Sequence, residues 1–362
     1  VLRYCNRNAR AGVPTTWISI MTVDTFKQIV LASRPDGQPT VDNFRLEQAK
    51  LPDTPPNGLL LRVLYLSLDP YMRGRMDARK SYAPAVEIDH KMVGEAVAEV
   101  IESRHPDYRE GELVLAPTGW CDHAVIDGTG LRKVDPALSA PSARLGVLGM
   151  PGFTAYAGLM LIGKPKPGDT VMVAAASGPV GSLVGQLARL AGARAVGIAG
   201  GSEKCRYLLD ELGFDAAIDH RAPDMAEQLA AACPDGIDVY FENVGGKIWQ
   251  AVLPLLNRFA RVPVCGLIAQ YSGDRNNADG QLAATMRQIL TKSLLVRGFI
   301  NYEFADEHYP EFLRIVADGI GEGKIRHKED IVDGLEKAPE AFLGMLEGRN
   351  FGKVIVRVAS EL

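Results

Sequence analysis

From residue 170 onward, apolar positions recur at two alternating periods. Residues 170–175 (TVMVAA) are nearly all small or β-branched, which predicts a strand buried on both faces. After a glycine turn, Val180, Leu183, Val184, Leu187 and Leu190 fall on one side of a helix predicted over 181–191. Residues 195–199 are strand-like again. The rhythm continues with strands at 216–218, 239–243, 261–265 and 294–299, and helices at 203–212, 223–232, 246–257, 279–291 and 306–318. It predicts an α/β domain, a doubly wound parallel sheet with helices on both faces.

Residues 22–135 lack this rhythm. Strand patterns at 25–32, 44–48, 58–66, 92–103, 113–117 and 120–126 are separated by turns such as Pro35-Asp36-Gly37 and Pro55-Pro56-Asn57-Gly58. They predict an antiparallel, barrel-like, mostly-β module. Residues 143–148 and 154–162 are apolar and helical in pattern. The last run, 352–358, reads as a strand with no helix after it, so it could return to the first module and close it. A chain of 362 residues suits two domains. The expected division is a mostly-β domain over 21–145, an α/β domain over 146–326 and a returning segment over 327–362. Residues 1–20 match no folded element and are expected to be an upstream extension, the alternative being an arm packed on a partner subunit.

A strand feeding Ser177-Gly178-Pro179-Val180-Gly181 into a helix is the dinucleotide-binding arrangement. A turn without side chains lets backbone approach a pyrophosphate, and the free N–H groups of the helix start face its charge. An NAD site usually places Asp or Glu about 20 residues further on, for the ribose hydroxyls. Here the second strand ends in Ala199-Gly200-Gly201-Ser202-Glu203-Lys204. Ser202 as donor and Lys204 as cation suit a 2′-phosphate, so NADP(H) is expected; Glu203 is the residue that argues for NAD. Tyr271 follows the predicted strand 261–265, on the side of the sheet where open α/β folds bind ligands. Its neutral phenol could donate to a substrate oxygen or simply line the pocket.

Composition changes little in this picture. Apolar content of 47%, charged content of 23% and a formal charge of −4 describe a large-cored globular protein and argue against a nucleic-acid binder. No uninterrupted apolar stretch reaches membrane-spanning length, so no membrane partner is expected. Five cysteines, at 5, 121, 205, 233 and 265, have no metal-ligand spacing and suggest free thiols in a reducing, cytoplasmic compartment. The aromatics Phe44, Trp120, Phe153, Tyr156, Tyr302 and Phe304 could shape a cleft, although most aromatics at this density belong to cores.

An ordered set of segments carries a family resemblance: SLDPYMRGRM (67–76), MPGFTAYAGL (150–159), AAASGPVGSLVGQLARLAG (174–192), GSEKCRYLLDELGFDAAIDH (201–220), GIDVYFENVGG (236–246), VCGLIAQY (264–271) and GRNFGKVIVRV (348–358). The chain resembles the zinc-independent medium-chain dehydrogenase/reductases, in the branch of prostaglandin reductase (leukotriene dehydrogenase) and bacterial curcumin reductase. The resemblance implies a GroES-like catalytic domain beside a Rossmann domain. It also implies NADPH-dependent reduction of a carbon–carbon double bond conjugated to a carbonyl. Tyr71 then approaches the nicotinamide and substrate as wall or acid, while the role of Arg73 stays open. Met150, Thr154, Asn243 and Asn350 become cofactor contacts, and His220 stands where relatives place Tyr or Lys near the adenosine phosphate.

Zinc-using relatives carry a His-Glu pair and an early Cys. Here Lys91 follows His90, and Ser67 takes the Cys slot, so no metal site is expected. Cys121 and His123 share one side of a strand without an apparent third ligand. Three other functions stay open: a quinone reductase of the same fold, a zinc-independent alcohol dehydrogenase, and a non-catalytic NADPH-binding protein. The apolar strand 294–299 reads as a sheet edge, which predicts a homodimer.

Overall fold

The computed structural model describes residues 24–137, 139–272 and 278–359; the expected extension over 1–20 lies outside the described residues. The first module holds β1 (Thr25–Leu31), β2 (Phe44–Lys50), β3 (Gly58–Ser67), β4 (Ala96–Ser103), β5 (Leu113–Ala116), β6 (His123–Asp127) and β7 (Arg132–Val134). The parallel sheet is built from β8 (Thr170–Ala174), β9 (Arg194–Ala199), β10 (Ala216–Asp219), β11 (Ile237–Phe241), β12 (Leu256–Val264) and β13 (Leu295–Gly298). Near the C-terminus follow β14 (Glu329–Asp333) and β15 (Lys353–Arg357).

In the first module β1 and β2 form an antiparallel hairpin. A seven-stranded sheet runs β14-β15-β3-β4-β5-β7, with β6 also paired to β3. The C-terminal strand thus returns: β15 pairs antiparallel with β3, Ile355 opposite Ser67. The core of this module centres on Trp120, which is stacked on Phe44 with 5.5 Å between ring centroids and meets Phe342 edge-on. Those two cleft candidates, Phe44 and Trp120, are core side chains.

The second sheet is parallel throughout, in the order β10-β9-β8-β11-β12-β13. Successive residues of β8 point to opposite faces. Val171 and Val173 meet the helix Pro179–Leu190 through Leu183, Val184 and Leu187, while Met172 and Ala174 join Leu229, Ile248 and Val252 on the other face. Phe153 and Tyr156 belong to the first of these two cores. The strand order reverses between β8 and β11, which opens a crevice at their C-terminal ends.

Several elements differ from the sequence pattern. The helix expected over 246–257 stops at Val252, and β12 begins at Leu256, because Pro254 cannot continue a helix and the following residues extend onto β11. The expected strand 92–103 starts only at Ala96, and the expected helix at 143–148 is a 3-10 turn over Pro141–Leu145. Two helices, Tyr71–Arg75 and Ala338–Leu346, and the strands β7 and β14 were not expected. Among the described residues no helix is long and apolar enough to cross a membrane.

Candidate active site

A cleft of about 1020 Å³ opens where the parallel sheet reverses, walled by the glycine turn, the C-terminal ends of β11 and β12, and the first module. Directly after β8 comes Ala175, whose φ of +52° puts a non-glycine residue in the left-handed region and turns the chain sharply. Gly181 is required by that turn: a Cβ there would lie 2.5 Å from the Ala175 carbonyl oxygen. The helix begins at Pro179, whose missing N–H is lost at no cost, and its first turn leaves amides without intrahelical acceptors. Ser177, Gly178, Val180 and Gly181 all line the cleft.

The tip of β9 is crowded with basic side chains. A Cβ on Gly200 would lie 2.8 Å from His220 Nε2 and 3.2 Å from Arg221 Nε, so the space where a carboxylate could reach a ribose is already filled. Lys204 Nζ stands beside them and donates to the Gly348 carbonyl at 2.7 Å. Burial first, and then the charge of Arg221, hold the Lys204 ammonium and the His220 imidazolium below their usual pKa values. The single carboxylate closing β10, Asp219, is occupied: its Oδ1 accepts the backbone amides of Gly201 and Arg221, each at 2.9 Å. This donor set fits a phosphate monoester better than an uncharged diol. Ser202 opens the helix Ser202–Arg206, is exposed, and is not among the cleft-lining residues. Arg221 follows His220 and stands beside the cleft without lining it; the sequence reading did not single it out.

Asn243 bridges the reversal point. Its Nδ2 donates to the Ala174 carbonyl at 2.8 Å, joining the ends of β11 and β8. The loop after it is held by buried Glu242, whose Oε1 accepts the amides of Val244 and Gly245 at 2.7 and 2.9 Å and the Tyr240 hydroxyl at 3.1 Å. Burial raises the Glu242 carboxyl, with those bonds pulling the other way. Thr154 Oγ1 donates to the Met150 carbonyl at 2.8 Å and accepts from Asn301 Nδ2 at 3.1 Å; Asn301 also lines the cleft and had no sequence signal. Asn350 lies in the lining too, with Nδ2 donating to the Gly352 carbonyl at 2.8 Å.

Two tyrosines line this space, Tyr71 from the first module and Tyr271 from the loop after β12. Tyr271 caps the short turn Ile268–Gln270 beyond β12, and its hydroxyl stands close over Gly266. Burial raises its pKa, and a hydrogen bond from the Leu267 backbone opposes the rise. Tyr71 begins the helix Tyr71–Arg75, and burial, followed by the charges of Asp69 and Glu95, keeps its phenol protonated far above neutral pH. Both are neutral donors at physiological pH. Cys265 is also in the lining, near Tyr271, its thiol pushed up to about 12 by burial and therefore neutral. Arg73 is a scaffold residue: Nη1 pairs with Asp77 at 2.8 Å and Nη2 donates to the Gly37 carbonyl at 2.8 Å.

Among the described residues no group of three or more His, Cys, Asp and Glu side chains is arranged to hold a metal ion. Cys121 Sγ lies 3.4 Å from Lys91 Nζ, a cation where a metal would need an open ligand, and His123 Nδ1 faces Asp122 at 3.1 Å. His90 is exposed and meets the Ile88 carbonyl.

Two family models match the chain: one described as the N-terminal domain of oxidoreductase, over residues 27–134, and one described as zinc-binding dehydrogenase, over 179–318. The chain is 52% identical over 333 residues to the NADPH-dependent curcumin reductase of Escherichia coli (strain K12), covering 92% of this chain and 96% of that protein. It is 39% identical over 341 residues to the NADP(+)-dependent 2-alkenal reductase of Nicotiana tabacum, covering 92% and 98%. Prostaglandin reductase 1 of Rattus norvegicus is 41% identical over 326 residues, covering 89% and 96%. The crystal structure of CurA in complex with NADPH from Vibrio vulnificus superimposes with a TM-score of 0.90 at 52% identity, over 92% of this chain and 100% of that one. The chain belongs to the medium-chain dehydrogenase/reductase family, in the zinc-independent branch of the curcumin and prostaglandin reductases.

Proposed function

We propose that this protein reduces the carbon–carbon double bond of α,β-unsaturated ketones and aldehydes with NADPH. The observation that carries the reading is one cleft lined by the basic side chains Lys204 and His220, with Arg221 beside them, and by two neutral tyrosines. Bound NADPH supplies the hydride that goes to the β-carbon. The α-carbon of the resulting enolate takes its proton from solvent, and the chain's own groups bind, orient and stabilise. The amides of Val180 and Gly181 face the pyrophosphate, and Ser177 and Gly178 shape the turn around it. Lys204 and Arg221 take the 2′-phosphate, with His220 adding charge as pH falls and Ser202 bordering the site. Met150, Thr154 and Asn243 border the nicotinamide, and Asn350 closes over the cofactor.

Negative charge develops on the carbonyl oxygen during conjugate addition. A donor placed there is worth more in the transition state than in the ground state. Tyr271 fills that role in our reading, because burial keeps its proton in place. Tyr71 forms the opposite wall. The four described cysteines are free, which fits a cytoplasmic setting. The assembly is a homodimer paired at β13, the exposed edge of the parallel sheet, where Leu295 and Val296 are 50% and 38% exposed. The catalytic domain spans 21–145 and the nucleotide domain 146–326, and 327–362 rejoins the first.

The test is NADPH oxidation with an enone, a quinone and an alcohol (with NADP+) side by side, followed by product analysis with C4-deuterated NADPH. Deuterium on the β-carbon of the enone product is expected. Deuterium on the carbonyl carbon with the double bond intact, or turnover of the quinone alone, would sink the reading.

A further inference from the structure

Lys353 and Asp69 are buried charges, 2% and 4% exposed, that lie 284 positions apart and line the same cleft. Lys353 Nζ donates to Asp69 Oδ1 at 2.7 Å and to the Leu68 carbonyl at 2.6 Å. The second Asp69 oxygen accepts from Ser67 Oγ. Removing two ions from water costs several kcal/mol each, and their attraction often fails to return it. A pair that is weak as a stabiliser can still define geometry, so its neighbours show what it defines.

On one side is Tyr71. The Asp69 carbonyl accepts the Met72 amide at 3.1 Å, so fixing Asp69 fixes the start of the helix that carries Tyr71. On the other side is Asn350. Lys353 directly follows Gly352, whose carbonyl accepts Asn350 Nδ2. The two segments also run side by side, the Leu68 amide donating to the Val354 carbonyl at 3.3 Å. One ion pair therefore joins the loop bearing the substrate-side tyrosine to the strand start bearing the cofactor-side asparagine.

We propose that Lys353 and Asp69 are positioning residues, a clamp that holds Tyr71 and Asn350 in mutual register across the cleft. Both act through Tyr71 and Asn350, not as groups that take part in the reaction. The clamp rests on reading this cleft as the NADPH–enone site.

The experiment removes both charges together, in Asp69→Asn/Lys353→Met, so that no lone ion stays buried. Two double-mutant cycles then separate positioning from scaffolding. The first cycle measures kcat/KM for an enone. The clamp variant should lose at least tenfold in the wild-type background and under threefold in a Tyr71→Ala background. The second measures the NADPH Kd by fluorescence titration, without turnover. The clamp variant should weaken NADPH at least threefold in the wild-type background and leave Kd unchanged in an Asn350→Ala background. Equal losses in both backgrounds of both cycles, or no loss at all, overturn the clamp. If the wild-type protein binds NADPH but reduces no enone, the functional reading fails, and the second cycle alone decides the clamp. Should the double variant not fold, Lys353→Arg, which keeps both charges but moves the donor's reach and so the register of the two segments, carries the same two cycles with the same criteria.

Discussion

Lys204→Ala separates the phosphorylated from the unphosphorylated cofactor, and the structure divides its effect in two. One part is common to NADPH and NADH. Lys204 Nζ donates to the Gly348 carbonyl at 2.7 Å, and Gly348 lies two residues before Asn350. Losing that tether loosens a segment that borders either cofactor, at about 0.5–1.5 kcal/mol for one hydrogen bond. The other part concerns NADPH alone. A charged hydrogen bond to the 2′-phosphate contributes about 1.5–3 kcal/mol, but Arg221, standing at the same strand tip, retains part of the attraction. The lower end is therefore expected, so the NADPH-to-NADH affinity ratio should fall about tenfold. Isothermal titration with NADPH, NADH, 2′,5′-ADP and 5′-AMP at two salt concentrations reads this directly. The 2′,5′-ADP loss should shrink as salt rises, and 5′-AMP binding should change little. Equal losses for NADPH and NADH would refute the 2′-phosphate role and leave only the tether.

Tyr271→Phe should lower kcat for enones about 10- to 100-fold with the NADPH Kd unchanged; because burial raises the Tyr271 pKa, wild-type kcat should show no loss from its ionisation up to pH 9. Glu95, raised to about 7 first by burial and then by Asp69, is an acid whose folded pKa exceeds its unfolded value. Its ionisation therefore opposes folding: stability falls as pH rises from the ordinary 4.5 through about 7, on the order of 3 kcal/mol, and Glu95→Gln should flatten that part of the Tm–pH curve. Chelation should leave activity intact and elemental analysis should find no stoichiometric zinc; turnover abolished by chelation and restored by zinc would contradict this. Light scattering at micromolar concentration should give a dimer mass, and Val296→Lys at the β13 edge should shift it toward monomer.

What was legible in the chain was what local physics enforces. The turn from β8 into the helix Pro179–Leu190 needs a residue without Cβ at Gly181, so the sequence displays it openly. The same holds for the bare tip of β9, where Gly200 and Gly201 place no carboxylate. Elements failed where one stretch satisfied two periods. Residues 246–257 carry apolar positions compatible with a helix, yet Pro254 and pairing with β11 turn the end of that stretch into strand.

Side-chain placement was legible only in part, for a different reason. Asn243 and Asn350 both line the cleft, but each spends one amide hydrogen on a backbone carbonyl, Ala174 in one case and Gly352 in the other. A spacing argument sees an amide near a ligand and cannot see which lone pair or proton remains free. Arg221 and the Lys353–Asp69 pair were invisible because their meaning lies in contacts between β9 and β10 and between β3 and β15, set by the fold and not by neighbours in sequence. Cys121 shows the converse. The missing third ligand suggested an ordinary thiol, and the structure adds a positive reason: Lys91 places an ammonium 3.4 Å from its sulfur. A cation held there by the fold repels a second one, so the same lysine that breaks the His-Glu pattern in sequence also opposes a metal in space.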